Sequence, residues 1–113
     1  MTITVLKRNE LPTDASSHEF VGEQRGGVGA CVIFVDVAPG EGPRLHRHPY
    51  VEILIVIEGS ATYDDGKAKR IVNAGEMAVV DAKQPHGFVN SGSGRLRQID
   101  IHLNARFVTE WLA

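Results

Sequence analysis

Three histidines and one glutamate near the middle of the chain could bind a metal ion together. His46 and His48 are two residues apart, so on an extended strand both imidazoles would point to the same side. Glu52 follows at the same parity just past Pro49, and His86 begins a later strand segment. Imidazole nitrogens and a carboxylate oxygen together suit Fe, Mn, Ni, Co, Cu and Zn, so the pattern predicts a site for one divalent transition metal ion.

The position of Glu52 supports this interpretation but leaves an alternative open. Its carboxylate belongs to an apolar run that continues to Ile57. A buried carboxylate needs a compensating charge, since it otherwise shifts its pKa until it is neutral. A metal ion would compensate it, but so would an arginine, and His-x-His pairs also occur by chance on surface strands.

Three further residues are candidates for binding a substrate or supporting the metal ligands: Arg44, Gln98 and His102. Arg44 has the parity of the two histidines and could hold an anionic substrate at the mouth of a barrel, or it could be a solvated arginine on the rim. Gln98, Asp100 and His102 form one polar side of a strand. That side faces either water or the interior, where it would support the metal site.

The elements that must position these residues are strands. Short runs rich in Val and Ile alternate with Gly, Asp, Asn and Pro, which is typical of an all-β protein. The dipeptide Asp65-Gly66 predicts a two-residue type I′ hairpin. We predict a loop over 11–17 and a short C-terminal helical turn within 105–112. Strands or extended segments are predicted over 3–8, 18–22, 28–37, 44–48, 51–58, 61–64, 67–72, 77–81, 86–90 and 95–103. About ten short strands indicate a β-sandwich or a jelly-roll β-barrel.

Length and composition bound the remaining possibilities. With 113 residues we expect a single domain over 1–113. The net charge is −2 and no basic stripe is present, so we expect no nucleic-acid partner. The longest apolar run, 53–57, is too short for a membrane span. The single cysteine, Cys31, and the lack of a signal-peptide pattern favour a cytoplasmic location.

The chain resembles the cupin superfamily in the order and spacing of these residues. The first cupin motif has a glycine, five residues, His-x-His, three or four residues, a glutamate, six residues and a glycine. Gly40, His46, His48, Glu52 and Gly59 occupy all of these fixed positions.

The second cupin motif is matched at its two ends. Gly75 matches its opening glycine, and His86 to Asn90 match its closing His-x-x-x-Asn. Cupins usually have Pro-x-Gly before that histidine, whereas this chain has Asp81-Ala82-Lys83, so the tight turn there must form differently.

The resemblance implies a jelly-roll β-barrel that holds a metal ion through His46, His48, Glu52 and His86. Coordination positions of the metal that the protein leaves open would allow catalysis. The resemblance therefore implies a metal-dependent enzyme acting on a small molecule, of the oxygenase, decarboxylase or isomerase type. The alternatives are a non-catalytic metal or small-molecule binding module, such as a sensor, and a domain whose metal only stabilises a small core. Sheet edges and the resemblance to small cupins also predict a homodimer, with 3–8 as a strand that could add to a neighbour's sheet.

Overall fold

The structure is a computed structural model that describes residues 2–113. Strands dominate this range, and its helical content consists of 3-10 turns at Arg8–Glu10 and Gly22–Gln24. The strands are β1 (Thr13–Asp14), β2 (Ser17–Val21), β3 (Cys31–Val37), β4 (His46–Arg47), β5 (Glu52–Glu58), β6 (Ser60–Asp64), β7 (Lys69–Asn73), β8 (Met77–Val80), β9 (Gly87–Asn90), β10 (Leu96–His102) and β11 (Glu110–Trp111). The prediction of an all-β protein is confirmed.

The strands form three antiparallel sheets around one core. The largest has the order β1-β2-β3-β10-β5-β8, the second has the order β7-β6-β9, and β11 pairs with β4 in the third. Buried apolar side chains of the first two sheets pack in a single cluster: Val35, Leu54, Val56, Ala61, Val72, Val80, Phe88 and Leu96. The result is a jelly roll, and its strands do not close into a continuously hydrogen-bonded barrel within residues 2–113.

Strand β10 shows which side of the main sheet faces the interior. Gln98, Asp100 and His102 are buried, whereas Ile99 and Ile101 on the other side of the strand are partly exposed. The polar side of this strand therefore faces inward. Polar residues on an interior face need hydrogen-bond partners, and these partners organise the site described below.

Both ends of the chain differ from the prediction. The segment 3–8 is not a strand: Ile3 and Val5 are 81% and 84% exposed, and an alternating pattern with no partner strand does not form a ladder. Within the predicted loop 11–17, Thr13 and Asp14 pair with β2 as its edge strand. No helix in residues 2–113 has the length and hydropathy of a membrane span.

The predicted C-terminal helical turn is also wrong. Residues 105 and 106 lie in a bend, and Glu110 and Trp111 pair with Arg47 and His46 of β4. Arg47 Nε donates a hydrogen bond of 2.7 Å to Glu110 Oε2, which adds a charged pair to this pairing. A non-local strand partner has thus overridden the helical spacing of Phe107 and Trp111.

The hairpin at Asp65 has four loop residues rather than two. Asp64 pairs with Lys69, and only Gly66 in the loop has a positive φ, so the turn is not type I′. The Asp65 carboxylate accepts backbone N–H hydrogen bonds from Lys67 and Ala68, each 2.8 Å long. These bonds close a longer loop that the dipeptide alone does not predict.

Gly59, the last fixed glycine of the first motif, is required by its conformation and by its surroundings. Its φ is +84°, and a Cβ built there would lie 2.5 Å from the carbonyl oxygen of Arg95. A side chain would be strained and would also displace the start of β10. This glycine therefore fixes how β5 passes into β6 beside β10.

Candidate metal centre

The four predicted ligands converge at one end of the interior. The backbones of His46 and His86 are joined by a pair of hydrogen bonds, His46 N to His86 O at 2.9 Å and His86 N to His46 O at 2.8 Å. One donor atom from each of these two histidines, from His48 and from Glu52 lies within 4.8 Å of the others. All four side chains are at least nine-tenths buried. These residues form a three-histidine, one-glutamate cluster that could hold a metal ion.

The Nδ1 atoms of the three histidines each face a backbone carbonyl. The distances are 2.7 Å from His46 to Arg44 O, 2.8 Å from His48 to Val108 O and 2.9 Å from His86 to Gln84 O. A carbonyl only accepts, so each Nδ1 must carry the proton and each Nε2 keeps a lone pair in the neutral ring. The backbone thus presets all three rings in the tautomer that binds a metal through Nε2.

The cluster contains a buried polar atom without a partner. His48 Nε2 lies 3.2 Å from Glu52 Oε1, close enough for an ionic contact, but it makes no aligned hydrogen bond with any atom of residues 2–113. A hydrogen bond requires alignment as well as a short distance, so this contact leaves the Nε2 atom unpaired. An unpaired buried nitrogen with its lone pair directed at three other donor atoms fits a metal ligand.

The pKa values of the cluster reflect its burial and its single carboxylate. Burial would raise the pKa of Glu52, but His102, which donates to it, and the nearby rings of His48 and His86 outweigh this effect and hold the pKa well below its usual range. Burial lowers the pKa of His46 to about 4, which keeps this ring neutral. Burial also acts to lower the pKa of His86, but the hydrogen bonds to Glu52 and Gln84 outweigh it and raise the pKa.

His102 lies directly behind the carboxylate. It pairs with Glu52 across β10 and β5, and its Nε2 is 3.1 Å from Glu52 Oε2. Its Nδ1 is 2.7 Å from the hydroxyl of Tyr50, which in turn accepts a hydrogen bond of 3.3 Å from Val108 N. With the Tyr50 hydroxyl donating to Nδ1, His102 donates from Nε2 to Glu52 and orients it toward the cluster.

The other two candidate residues lie elsewhere. Arg44 is exposed: its guanidinium lies 4.8 Å above the ring centroid of Trp111, and its Nε donates to the carbonyl of Ala113. Gln98 is 1% exposed and interacts with Tyr63 and Asp100 rather than with the cluster. Of these three side chains, the structure therefore brings only that of His102 into contact with a predicted ligand, whereas Arg44 contacts His46 through its backbone carbonyl.

A cavity of about 530 Å³ adjoins the cluster. All four predicted ligands and His102 contribute to its wall. The other lining residues are Asp14, Ala15, Ser17, Glu19, Ile33, Val35, Val37, Glu41, Gly42, Pro43, Leu54, Phe88, Asp100, Phe107, Thr109 and Trp111. The donor atoms therefore face a space large enough for a small molecule.

Sequence reasoning did not assign several residues to this site. Trp111 and Phe107 lie within the predicted helical turn, but their rings lie 4.9 Å from His46 and 4.8 Å from His102 at the cavity wall. The sequence allows Asp100 to face either the solvent or the interior. The alternation in β10 does not decide which side faces inward, because its apolar residues Ile99 and Ile101 lie on the outer, partly exposed side.

Comparisons with known proteins agree with this fold. No curated protein matches the chain in sequence. Among solved structures, oxalate oxidase superposes with a TM-score of 0.72 and 23% identity over 86% of this chain and 54% of that one. The polyketide cyclase RemF from Streptomyces resistomycificus superposes with a TM-score of 0.80 and 18% identity. The match covers 99% of this chain and 88% of that one. A point mutant of oxalate decarboxylase from Bacillus subtilis superposes with a TM-score of 0.74 and 23% identity. The match covers 85% of this chain and 27% of that one.

These similarities establish the fold and not the activity, since every identity is below 25%. The chain also spans only about half the length of oxalate oxidase. The family model described as "Cupin domain" matches residues 33–102, which is more than half of the chain and includes all four clustered residues. The chain therefore belongs to the cupin family.

Proposed function

We propose that this protein is a metal-dependent enzyme acting on a small molecule. The observation that carries the proposal is that the three histidines and the glutamate lie on the wall of a cavity of about 530 Å³. A metal that only stabilises a fold is normally enclosed by protein ligands, whereas a catalytic metal keeps a position open to substrate. The cavity supplies that open side.

His46, His48, Glu52 and His86 would hold one divalent transition metal ion, from the group Fe, Mn, Ni, Co, Cu and Zn. The unpaired Nε2 of His48 and the preset tautomers of the three rings support this assignment. When bound, such an ion polarises a substrate oxygen or activates dioxygen. Oxygenase, decarboxylase and isomerase chemistry are all compatible with this donor set, and the names of two similar structures include an oxidase and a decarboxylase.

The chain's own residues prepare the site for such a reaction. His102 orients the Glu52 carboxylate through the hydrogen bond to Oε2. Phe107 and Trp111 form apolar parts of the wall, which exclude water from the space beside the ligands. Tyr50 stacks on the His48 ring at an interplanar angle of 11°, which restricts that ring further.

Turnover tests this proposal against the alternative of a non-catalytic binding or sensor module. Protein loaded with each candidate metal would be incubated with a panel of small organic molecules. Dioxygen uptake, carbon dioxide release and product formation would be measured together. Turnover that is lost in His48→Ala supports an enzyme. Ligand-induced stabilisation with no turnover for any metal supports the binding module instead.

We also propose that the protein is a homodimer. The outer side of the main sheet carries an apolar surface across four strands, with Val79, Ile53, Ile101 and Val32 in register. Val79 is 62% exposed and Met77, two residues before it on the same side, is 57% exposed. An apolar sheet face of this extent is typical of a subunit interface. This face is a basis for the dimer that does not require a strand at 3–8 to add to a neighbour's sheet.

A cytoplasmic location is proposed as well. It rests on Cys31, which is the only cysteine and is a buried free thiol. Such a residue is typical of a protein that folds in a reducing compartment.

A further inference from the structure

The cavity wall has an uneven distribution of charge. Among residues 2–113, neither lysine nor arginine contributes to the lining. Five carboxylate side chains do: Asp14, Glu19, Glu41, Glu52 and Asp100. Burial favours the neutral form of Asp100, which leaves four carboxylates, and a bound divalent cation would offset only two negative charges. An anionic ligand would therefore enter a space whose wall remains negative.

The arginines near the mouth do not change this balance. Arg44 lies on the outer side of Trp111, with its Nε bonded to the carbonyl of Ala113. Arg47 forms an ion pair with Glu110, at 2.7 Å between Nε and Oε2. Both cations are engaged outside the cavity, so no bidentate clamp for a carboxylate faces a ligand inside it.

Asp100 is the most deeply buried carboxylate of this wall that is not a predicted metal ligand, at 3% exposure. It lies in a cross-strand row between Ile33 and Leu54, both of which also line the cavity. Burial raises its pKa, and the nearby charge of Glu52 adds to this effect. Asp100 thus places a polar group against an otherwise apolar part of the cavity.

A chain of hydrogen bonds fixes the Asp100 carboxyl. The Tyr63 hydroxyl donates to Gln98 Oε1 at 2.7 Å, and Gln98 Nε2 donates to Asp100 Oδ1 at 2.6 Å. Because Tyr63 occupies Oε1, the Gln98 amide must turn its NH₂ group toward Asp100. Asp100 Oδ2 has no hydrogen-bond partner among residues 2–113, so it is available to a ligand.

Aromatic and aliphatic side chains make up much of the remaining wall. Phe88, Phe107 and Trp111 line it together with Ile33 and Leu54. Such a wall suits an apolar ligand body, with a few polar groups fixing its orientation.

From this arrangement we propose that the cavity selects uncharged or cationic small molecules with an apolar body, and that Asp100 receives their hydroxyl or amino group. The inference rests on the proposed function, since it names the class of substrate for the same cavity. A ligand hydroxyl can form a hydrogen bond with Asp100 Oδ2 whether that oxygen accepts or, when protonated, donates. An ammonium group is attracted by the negative charge of the wall. Small dianions such as oxalate are disfavoured for the same reasons.

Three probes with one common body test the selection: cyclohexylmethanol, cyclohexylmethylamine and cyclohexanecarboxylate. Trp111 is the only tryptophan and lies at the cavity wall, so its fluorescence reports binding. Titrations would use the protein as purified and after removal of metal. A result in the metal-free protein is independent of whether the proposed metal chemistry occurs. We expect the alcohol and the amine to bind at least tenfold more tightly than the carboxylate in both forms.

Asp100→Asn tests the assigned residue, because it replaces an acceptor with an NH₂ donor at nearly the same size. We expect amine affinity to fall at least tenfold and carboxylate affinity to rise, a reversal that a general loss of packing would not cause. Glu41→Gln is the matched control, since it removes one charge from an exposed position of the same wall. It should change each affinity less than threefold.

Three results would overturn the proposal. One is carboxylate binding as tight as amine binding in the wild type. Another is an Asp100→Asn profile equal to that of Glu41→Gln in a folded protein. The third is failure of both the alcohol and the amine to bind at millimolar concentration.

Discussion

Glu52 and His102 face each other across β5 and β10, with Glu52 Oε2 3.1 Å from His102 Nε2. The other carboxylate oxygen, Oε1, lies 2.9 Å from His86 Nε2. One carboxylate thus joins a predicted metal ligand on one side to a positioning histidine on the other. The four residues that would bind the ion therefore have a different role from His102, which orients the Glu52 carboxylate.

Replacing His102 should weaken metal binding without abolishing it. In His102→Phe, Glu52 loses the hydrogen bond to Oε2 and gains freedom to rotate away from the histidines. Loss of such outer partners typically costs about tenfold to a hundredfold in metal affinity. Competition with a chelator of known affinity would measure the change.

Tyr50→Phe is the matched control for His102. It removes the hydroxyl that lies 2.7 Å from His102 Nδ1 but leaves the contact between His102 and Glu52 in place. Its effect should have the same direction and be smaller. An unchanged affinity in His102→Phe, or a loss as complete as in a ligand variant, would contradict the positioning role.

Metal affinity should decrease in mild acid. Imidazole binds metal only when neutral, and its reference pKa is about 6.5. Glu52 raises the pKa of His86, so this ring becomes protonated before His46, which has a pKa of about 4. Below the pKa of His86, each unit of pH should cost up to about tenfold in affinity through that one proton. Equilibrium metal content measured from neutral pH downward would test this, and full occupancy well below the reference value would argue against histidine ligands.

Lys83→Gly should stabilise the protein. Lys83 has φ +69°, and its N–H donates a hydrogen bond of 2.7 Å to the carbonyl of His48. Glycine relieves the strain of this conformation, with a net gain of up to about 1 kcal/mol after its own entropy cost. Urea unfolding of the metal-free protein would measure it. Lys67→Gly is the control at an exposed loop position without positive φ. If both variants lose stability equally, the turn at Lys83 is not strained.

The proposed dimer should depend on the outer side of the main sheet. Wild-type protein should have about twice the chain mass of 12.3 kDa in light scattering coupled to gel filtration. Val79→Lys should shift it toward the monomer, because a lysine in an apolar interface loses its hydration. Leu112→Lys changes an exposed apolar residue away from this face and should remain dimeric. A monomeric wild type at micromolar concentration would end the proposal.

Much of the fold could be predicted from the sequence because the long strands of the main sheet contain runs of Val and Ile that end at turn residues. The segments 51–58 and 95–103 were predicted within one residue of β5 and β10. The errors are at positions that non-local contacts decide. Residues 3–8 have the composition of a strand but pair with no strand of the described range 2–113. Glu110–Trp111 pairs with β4 through contacts more than 60 residues apart along the chain.

In the site, too, local sequence patterns predict some features and non-local contacts decide the others. Parity and spacing bring His46, His48 and Glu52 together, and the structure confirms that the four predicted ligands cluster. The turn before His86 has Lys83 in the left-handed conformation at the position where cupins usually have glycine. The sequence could not show which way Arg44 points, since a side chain at a strand end takes its direction from neighbours such as Trp111.

Metal content of the purified protein tests the central claim most directly. Elemental analysis of the wild type should find close to one equivalent of transition metal per chain. The double variant His46→Ala with His48→Ala should lose nearly all of it, whereas His18→Ala, a histidine on β2 outside the cluster, should retain it. Metal-free wild type that takes up none of Fe, Mn, Ni, Co and Zn at neutral pH would contradict the account.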